Sequence, residues 1–181
     1  GRYKIFDENV LSIGITKWNE TVMGDNSKPM SDLGIDLIIV GQFKSGMGNT
    51  IANAGARFYG IEGIRRQPLV GHVNINTDFS YSKDRSQEFF NTIILHEFTH
   101  ILGFTSYQFD YLNLTRKEKD SDGIDRFYLE SPKVIEVAKK YYNCDSITGL
   151  ELEEFGGQGT AGSHWEARQL LGDYMNGIMY S

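Results

Sequence analysis

The residues of this sequence best suited to chemistry are two histidines and a glutamate near its middle. They stand in the run His96-Glu97-Phe98-Thr99-His100. Side chains four positions apart project from the same face of a helix, so these two imidazoles can bind one metal ion. Glu97 follows the first histidine and is placed to accept a proton from a water molecule whose pKa zinc has lowered. The spacing therefore predicts a zinc site with Glu97 as its general base.

The surroundings of this motif distinguish it from a chance match on a solvent-exposed helix. The residues on both sides, 93–95 and 101–102, are apolar and predict that the helix is buried. Buried histidines and carboxylates need a hydrogen-bonding partner or a metal ion. The motif is also the pattern of zinc peptidases, in which two helical histidines hold the metal beside the glutamate. We therefore predict a zinc-dependent endopeptidase with one zinc ion and a peptide or protein substrate.

The third zinc ligand is less directly indicated by the motif. In one branch of zinc peptidases the helix continues to a glycine, with a third histidine three residues later and then a methionine turn. Gly103 fits as the helix-ending turn, but Ser106 occupies the position of that histidine. The next histidine along the chain is His164, in a glycine-rich loop that can fold back to the helix.

Other residues remain open as metal ligands. His72 lies in a predicted strand, where we interpret it as a surface or edge histidine. Glu118 or Glu130 would serve in a peptidase whose third ligand is a glutamate, although Gly103 argues against that branch. A closed structural zinc site needs four protein ligands and would have to recruit Cys144, the single cysteine.

Hydrophobic patterns predict a sheet ahead of the motif. Residues 35–44 are rich in β-branched side chains, and segments 54–61 and 70–76 have the composition of two further strands. A loop is expected at 45–49, and a turn-prone basic stretch at 63–68 separates the last two strands.

Two helices are predicted after these strands. Over residues 86–102 the apolar positions recur at helical spacing, with Asp84 or Ser86 as the N-cap. The second helix is expected at 131–143, where Ser131 suits the N-cap and a proline follows at the first helical position.

The remainder of the chain is rich in loops. Glycine and small residues predict a loop at 155–163, and residues 164–173 are expected to form a short helix. Strands, then a chemistry-bearing helix, then a loop-rich half indicate an α+β, or mixed α/β, fold. We expect a single catalytic domain, 1–181, with an upper subdomain at 1–103 that carries the sheet and zinc helix. A lower subdomain at 104–181, truncated at its end, would carry the third ligand and the methionine turn.

Together these segments resemble the leishmanolysin family of metzincin zinc metallopeptidases. That family has a long insertion between the helix glycine and the third zinc histidine, which agrees with the serine found three residues after the glycine. The resemblance runs from roughly Asp36 to the C-terminus. It rests on the zinc helix, the helix that ends the insertion, the third-ligand segment and the methionine turn, at 96–104, 131–138, 150–168 and 173–175.

The resemblance implies a fold and several residue roles. The fold would be metzincin-like, with a twisted mixed sheet, a zinc-binding active-site helix and a loop-rich C-terminal half. His164 would be the third zinc ligand, and Met175 would lie beneath the metal, with Met179 the less favoured candidate for that turn. Cys144 looks like a cysteine that forms a disulfide in the family, and it has no partner within this chain.

The resemblance also implies how substrates bind. Metzincins hold extended peptides against an edge strand of the sheet by backbone pairing, here at 55–61 or its neighbour at 70–76. Backbone pairing favours broad specificity. The alternative function is a zinc-binding but weakly active or inactive relative that serves in adhesion or scaffolding, against which the intact Glu97 argues.

Charge and composition exclude other classes of function. The net charge of −6 and the lack of a basic run argue against a nucleic-acid partner. The apolar stretches are too short to span a bilayer, so membrane association would depend on parts outside this chain. Sequons at Asn19 and Asn113, together with the resemblance, indicate a secreted, cell-surface or vesicular protein. The start, without a methionine or an apolar leader, is interpreted as processed or truncated.

Overall fold

In the part of the chain that it describes, the computed structural model combines helices with two β-sheets, which confirms the predicted α+β class. Its residues group into two compact units, Gly1–Leu102 and Gly103–Ser181. Within the described part of the chain, no helix has both the length and the apolar composition needed to cross a membrane. The structure describes residues 3–6, 37–62, 65–79, 87–157 and 159–177.

A four-stranded mixed sheet forms the first unit's framework. Its strands are β1 (Tyr3–Phe6), β2 (Leu37–Lys44), β3 (Ala52–Glu62) and β4 (Arg65–Asn76). They lie in the order β1-β2-β4-β3, with β1 and β4 parallel to β2 and with β3 antiparallel to β4. Among the described residues, β3 is therefore an outer strand of this sheet and β4 is an inner one.

The three strands predicted ahead of the motif are confirmed, but β4 is longer than expected. It begins at Arg65, so residues 65–68 of the predicted turn-prone stretch are strand, which corrects that part of the prediction, while residues 63–64 lie outside the described residues. The ladder continues through Pro68, which pairs with Tyr59. The Arg66 guanidinium also lies over the Tyr59 ring, 4.4 Å from its centroid, and this cation–π contact favours the extended pairing.

One face of this sheet packs against a helix. That helix, α1 (Gln87–Leu102), confirms the helix predicted over the motif, whereas the N-cap candidates Asp84 and Ser86 lie outside the described residues. Strand side chains alternate between the two faces of a sheet, so every second residue of a strand faces α1. The buried core between helix and sheet comprises Leu37, Ile39, Val73, Ile75 and Ile101.

The second unit is built on a smaller antiparallel sheet. Its elements are α2 (Ser106–Tyr111), β5 (Thr115–Lys119), β6 (Asp125–Leu129), α3 (Pro132–Tyr142) and β7 (Leu150–Leu152). The strands lie in the order β5-β6-β7, and both pairings are antiparallel. Phe109, Leu129 and Leu152 form the buried core of this unit.

Helix α3 confirms the helix predicted at 131–143, but its start differs in detail. Ser131 occupies the N-cap position without making a side-chain capping hydrogen bond. The other end closes at Asn143, whose left-handed backbone (φ 49°) lets its N–H donate to the Lys139 carbonyl.

The short helix predicted at 164–173 was wrong. That segment forms turns, and Trp165 bridges to Leu152 on one side and to Asn176 on the other. Pairing with neighbouring backbone therefore replaces the hydrogen bonds that a helix would have supplied.

Candidate metal centre

Helix geometry places His96 and His100 on one buried face of α1. Successive helix residues turn by about 100°. Phe90, Ile94 and Phe98 therefore share the stripe that packs on the sheet core, and the two histidines share a neighbouring face. Both histidines are buried, at 5% and 8% exposure, and their rings meet edge to face. These are not the solvated side chains of a chance motif.

The two imidazoles approach each other through the same ring nitrogen. Their Nε2 atoms are 3.0 Å apart. Two nitrogens bound to one tetrahedral zinc ion, each at 2.0–2.1 Å, are separated by about 3.3 Å. The observed spacing is close to that value, so the pair fits as two ligands of a single zinc ion.

Glu97 projects from α1 between the histidine face and the stripe that packs on the sheet. It is buried, and its Oε2 atom has no hydrogen-bond partner among the described residues. Burial raises the pKa of this carboxyl group to about 8. A buried carboxylate oxygen without a partner is unfavourable, and a nearby cation would oppose the effect of burial on the pKa. The orphaned oxygen therefore fits a general base that lies beside a metal ion and its water.

His164 lies in the second unit, on a segment that neighbouring backbone holds from two sides. The Glu153 N–H donates to the His164 carbonyl at 2.9 Å. The next residue, Trp165, donates its N–H to the Met175 carbonyl at 3.0 Å. His164 is buried. Backbone hydrogen bonds thus hold His164 between the end of β7 and the turn that contains Met175.

A backbone group sets the orientation of the His164 ring. Its Nδ1 atom is 2.9 Å from the Thr160 carbonyl oxygen. Because a carbonyl oxygen only accepts hydrogen bonds, Nδ1 carries the proton, and Nε2 of the neutral ring has the lone pair. Histidines that bind metals commonly donate their other ring N–H to a carbonyl or carboxylate in this way.

Met175 is almost fully buried, at 1% exposure, in a turn that closes on itself. Its N–H donates to Asp173 Oδ1 at 2.8 Å. The turn is tied through the Met175 carbonyl to the residue after His164, so it and the histidine share one local framework. Met179, the alternative for this turn, lies outside the described residues.

His72, interpreted from the sequence as a surface or edge histidine, is half-buried and lies on β4, so it is not on an edge strand because β4 is an inner one. Arg57 on β3 donates from Nε to the His72 Nδ1 atom at 3.1 Å. Burial, followed by the nearby Arg57 charge, lowers the pKa of His72. The positively charged Arg57 side chain therefore already lies beside the His72 ring.

The remaining ligand candidates of the second unit also have protein partners. Glu118 and Glu130 both form ion pairs with Arg116. The Cys144 thiol is 3.1 Å from the Ser146 hydroxyl oxygen.

An ion-pair network around the His164 segment was not predicted from the sequence. Arg168 bonds Glu166 Oε1 through Nε at 2.8 Å and Glu151 Oε1 through Nη2 at 3.1 Å. Burial raises the pKa of Glu166, but hydrogen bonds from the Arg168 side chain and backbone outweigh it, so the pKa is lowered. Arg126 adds a second guanidinium against Glu154. Arg126 and Arg168 thus supply two positive charges to a cluster of three carboxylates, Glu151, Glu154 and Glu166, and these ion pairs stabilise the segment.

The start of α2 contacts the loop that precedes His164. The Ser106 N–H donates to the Ser163 hydroxyl oxygen at 3.1 Å. A Cβ added at Gly162 would lie 3.2 Å from the Ser106 Cβ, so the two backbones approach closely. Within the second unit, the start of α2 is thus bonded to the residue before His164.

This sequence is similar to members of one known protein family. The family model described as leishmanolysin matches residues 51–181. A leishmanolysin homolog of Crithidia fasciculata is 33% identical over 118 residues, covering 62% of this chain and 17% of that protein.

Two further relatives show similar coverage. Leishmanolysin of Leishmania major is 29% identical over 110 residues, which cover 60% of this chain and 18% of the relative. A leishmanolysin-like peptidase of Drosophila melanogaster is 27% identical over 150 residues, which cover 61% of this chain and 22% of that relative. The chain thus spans about a fifth of the length of these curated relatives.

Proposed function

We propose that this chain, because it belongs to the leishmanolysin family, is the zinc-binding catalytic part of an endopeptidase that hydrolyses peptide bonds. Membership of that family implies a zinc metallopeptidase. The observation that carries the proposal is the buried face of α1, where His96 and His100 present Nε2 atoms 3.0 Å apart. Beside them lies Glu97, whose Oε2 has no hydrogen-bond partner within the described part of the chain. The peptidase activity, the general base and the ligand set are parts of the proposal.

His96, His100 and His164 would hold the zinc ion. The tautomer of His164 supports its inclusion, because the hydrogen bond to Thr160 leaves the lone pair on Nε2. Met175 would pack beneath the metal. When bound, zinc would polarise the scissile carbonyl and acidify water.

Glu97 would perform the proton transfers of the reaction. Its carboxylate accepts a proton from the attacking water and then delivers it to the leaving amine. Burial favours this role, because a carboxylate that is poorly solvated takes up a proton more readily than one in bulk water.

Strand β3 would hold the substrate. It is an outer strand among the described residues, so one row of its backbone N–H and C=O groups faces away from β4. An extended peptide can pair with such a row, which gives affinity without demanding particular side chains. Of the two segments considered from the sequence, only the one at 55–61 lies on this outer strand. The substrate is thus a peptide or protein segment in extended form.

The setting of the activity is also part of the proposal. We place the upper subdomain at 1–103 and the lower one at 104–181, in a secreted, cell-surface or vesicular protein. Any membrane attachment would come through regions outside this chain.

Metal dependence tests the proposed function. The purified chain would be stripped with a chelator, reloaded with one equivalent of zinc and assayed on a quenched, unstructured peptide, with zinc content measured in parallel. We expect one zinc per chain and cleavage that chelation abolishes and zinc restores. His72→Ala, which removes a histidine outside the motif, should leave zinc content unchanged. One bound zinc without cleavage would overturn the peptidase in favour of the adhesion or scaffolding relative, and no bound zinc would overturn the metal site.

A further inference from the structure

The Thr160 carbonyl oxygen accepts two hydrogen bonds from the segment that ends in His164. The ring of His164 donates from Nδ1 at 2.9 Å. The backbone N–H of Ser163 donates to the same oxygen at 3.2 Å. The turn around Thr160 is itself closed, because the Thr160 and Ala161 N–H groups both donate to the Gly157 carbonyl. One carbonyl therefore fixes both the backbone and the ring of this histidine.

The Thr160 side chain is held between two glycines. A Cβ added at Gly156 would lie 2.8 Å from Thr160 Cγ2, and one added at Gly177 would lie 2.5 Å from the same methyl group. Both distances are too short for real carbon–carbon contacts, so only glycine lets the backbone approach this methyl from either side. Gly156 also has a positive φ of 87°, which other residues rarely adopt.

The second glycine also borders the histidine ring. The same added Cβ at Gly177 would lie 3.4 Å from the Cγ atom of His164. Gly177 follows the Met175 turn by two residues. Gly177 therefore lies against both the Thr160 methyl group and the His164 ring, which places the two side chains on one local framework.

We propose that Thr160 is a positioning residue for His164: its clamped methyl group fixes the carbonyl that holds the ring in the Nδ1–H tautomer, with Nε2 directed to zinc. This inference rests on the proposed function, in which His164 is the third zinc ligand. The methyl group, rather than the hydroxyl group, carries the effect, since it is the atom that both glycines contact most closely.

Two substitutions separate the methyl from the hydroxyl. Thr160→Ser keeps the hydroxyl and removes the clamped methyl, whereas Thr160→Val keeps a methyl at that place and removes the hydroxyl. Both changes are small enough to leave the fold intact, which thermal unfolding of the zinc-free protein would verify. Gly177→Ala, which forces a methyl against Thr160, provides a third perturbation from the opposite side.

The test measures zinc affinity by competition with a chromophoric chelator, together with the His164 tautomer by ¹⁵N NMR of the zinc-free protein. Loss of an outer-shell partner costs about 10–100-fold in metal affinity. We expect Thr160→Ser and Gly177→Ala to weaken zinc binding by about 10-fold and to mix the two tautomers of His164. Thr160→Val should bind zinc as the parent does and keep the Nδ1–H tautomer.

Wild-type zinc affinity and a single tautomer in Thr160→Ser would overturn the positioning role. An equal loss in Thr160→Val and Thr160→Ser would overturn the assignment to the methyl group. His164→Ala distinguishes these failures from failure of the proposed function. If His164→Ala binds zinc as tightly as the parent, the ligand set itself is wrong. If it binds weakly while Thr160→Ser is unaffected, only the role of Thr160 is rejected.

Discussion

Ile101 of α1 packs onto Gly71 of β4 so closely that no side chain fits between them. A Cβ added at Gly71 would lie 2.4 Å from Ile101 Cγ2 and 2.9 Å from its Cδ1. Ile101 is fully buried and follows His100 directly. This contact therefore sets how closely the histidine-bearing end of α1 lies against the sheet.

Gly71→Ala should destabilise the protein by about 1–3 kcal/mol, the usual range for overpacking a core. Ile101→Ala should cost about 2–5 kcal/mol by leaving a cavity. In the double variant the new methyl group occupies part of that cavity. The double variant should therefore lose less unfolding free energy than the two single variants lose together. Urea unfolding of all four proteins measures this coupling.

Gly60→Ala is the matched control, because a Cβ there would make ordinary contacts of 3.4–3.6 Å with Leu69. It should change the free energy of unfolding little. Strict additivity of Gly71→Ala and Ile101→Ala would show that the close contact does not limit the packing of α1.

Removal of any proposed ligand should impair zinc binding. His96→Ala, His100→Ala and His164→Ala are each expected to weaken zinc affinity by more than about 100-fold, beyond the usual effect of outer-shell partners. The reason is that each change removes a direct metal–nitrogen bond. Competition with a chelator measures the affinities. An unchanged affinity in any one of the three would remove that histidine from the ligand set.

Proline substitutions on β3 test substrate pairing. Neighbouring strand residues direct their N–H groups to opposite sides, so Gly55→Pro and Ala56→Pro remove groups from different sides of β3. The variant that loses an outward N–H should raise KM severalfold with little change in kcat or in stability. The other should lower the free energy of unfolding by breaking the ladder to β4. Equal KM values in both variants and the parent would argue against pairing at this strand.

Asp120 makes the β5–β6 turn sensitive to pH. The Ile124 N–H, the Arg126 side chain and the Asp122 N–H donate to its carboxylate and hold its pKa below the usual 3.8. A lowered folded-state pKa means that the stabilisation is present above the unfolded-state pKa and is lost as the pH falls through the folded-state value. The difference in unfolding free energy between the parent and Asp120→Asn should therefore be constant near neutrality and shrink below about pH 4.

Urea unfolding between pH 7 and pH 2.5 measures this difference. Asp122→Asn serves as the control, since it removes a charge from the same turn but leaves the N–H that donates to Asp120. If the difference in unfolding free energy between the parent and Asp120→Asn stays unchanged down to pH 2.5, the pKa of Asp120 is not lowered in the folded protein.

The parts of this protein that were predictable from sequence are those with local periodicity. The apolar spacing over 86–102 indicated α1, and the histidine spacing on that helix indicated a shared face. Strand β5 was missed, because its residues, Thr115–Lys119, are mostly charged and carry no hydrophobic alternation. This strand is stabilised instead by pairing with β6 and by ion pairs such as that of Lys117 with Asp125.

Interactions between residues far apart in the chain could not be predicted from the sequence. Arg168 meets Glu151 across seventeen residues, and that pairing exists only once β7 and the His164 segment lie side by side. The Thr160 carbonyl lies only four residues before His164, but its contact with the ring depends on the turn and on the two glycines that clamp it. A pattern of residue types does not encode such geometry.

We propose that a zinc site on α1 uses Glu97 as the base in peptide hydrolysis. The most direct measurement compares zinc content and cleavage of a quenched peptide in the parent and in Glu97→Gln, which removes the carboxylate but retains the shape of the side chain. We predict one zinc per chain in both proteins and a kcat lower by about 100-fold or more in the variant. A Glu97→Gln protein that binds zinc and cleaves the peptide at the parental rate would contradict the account.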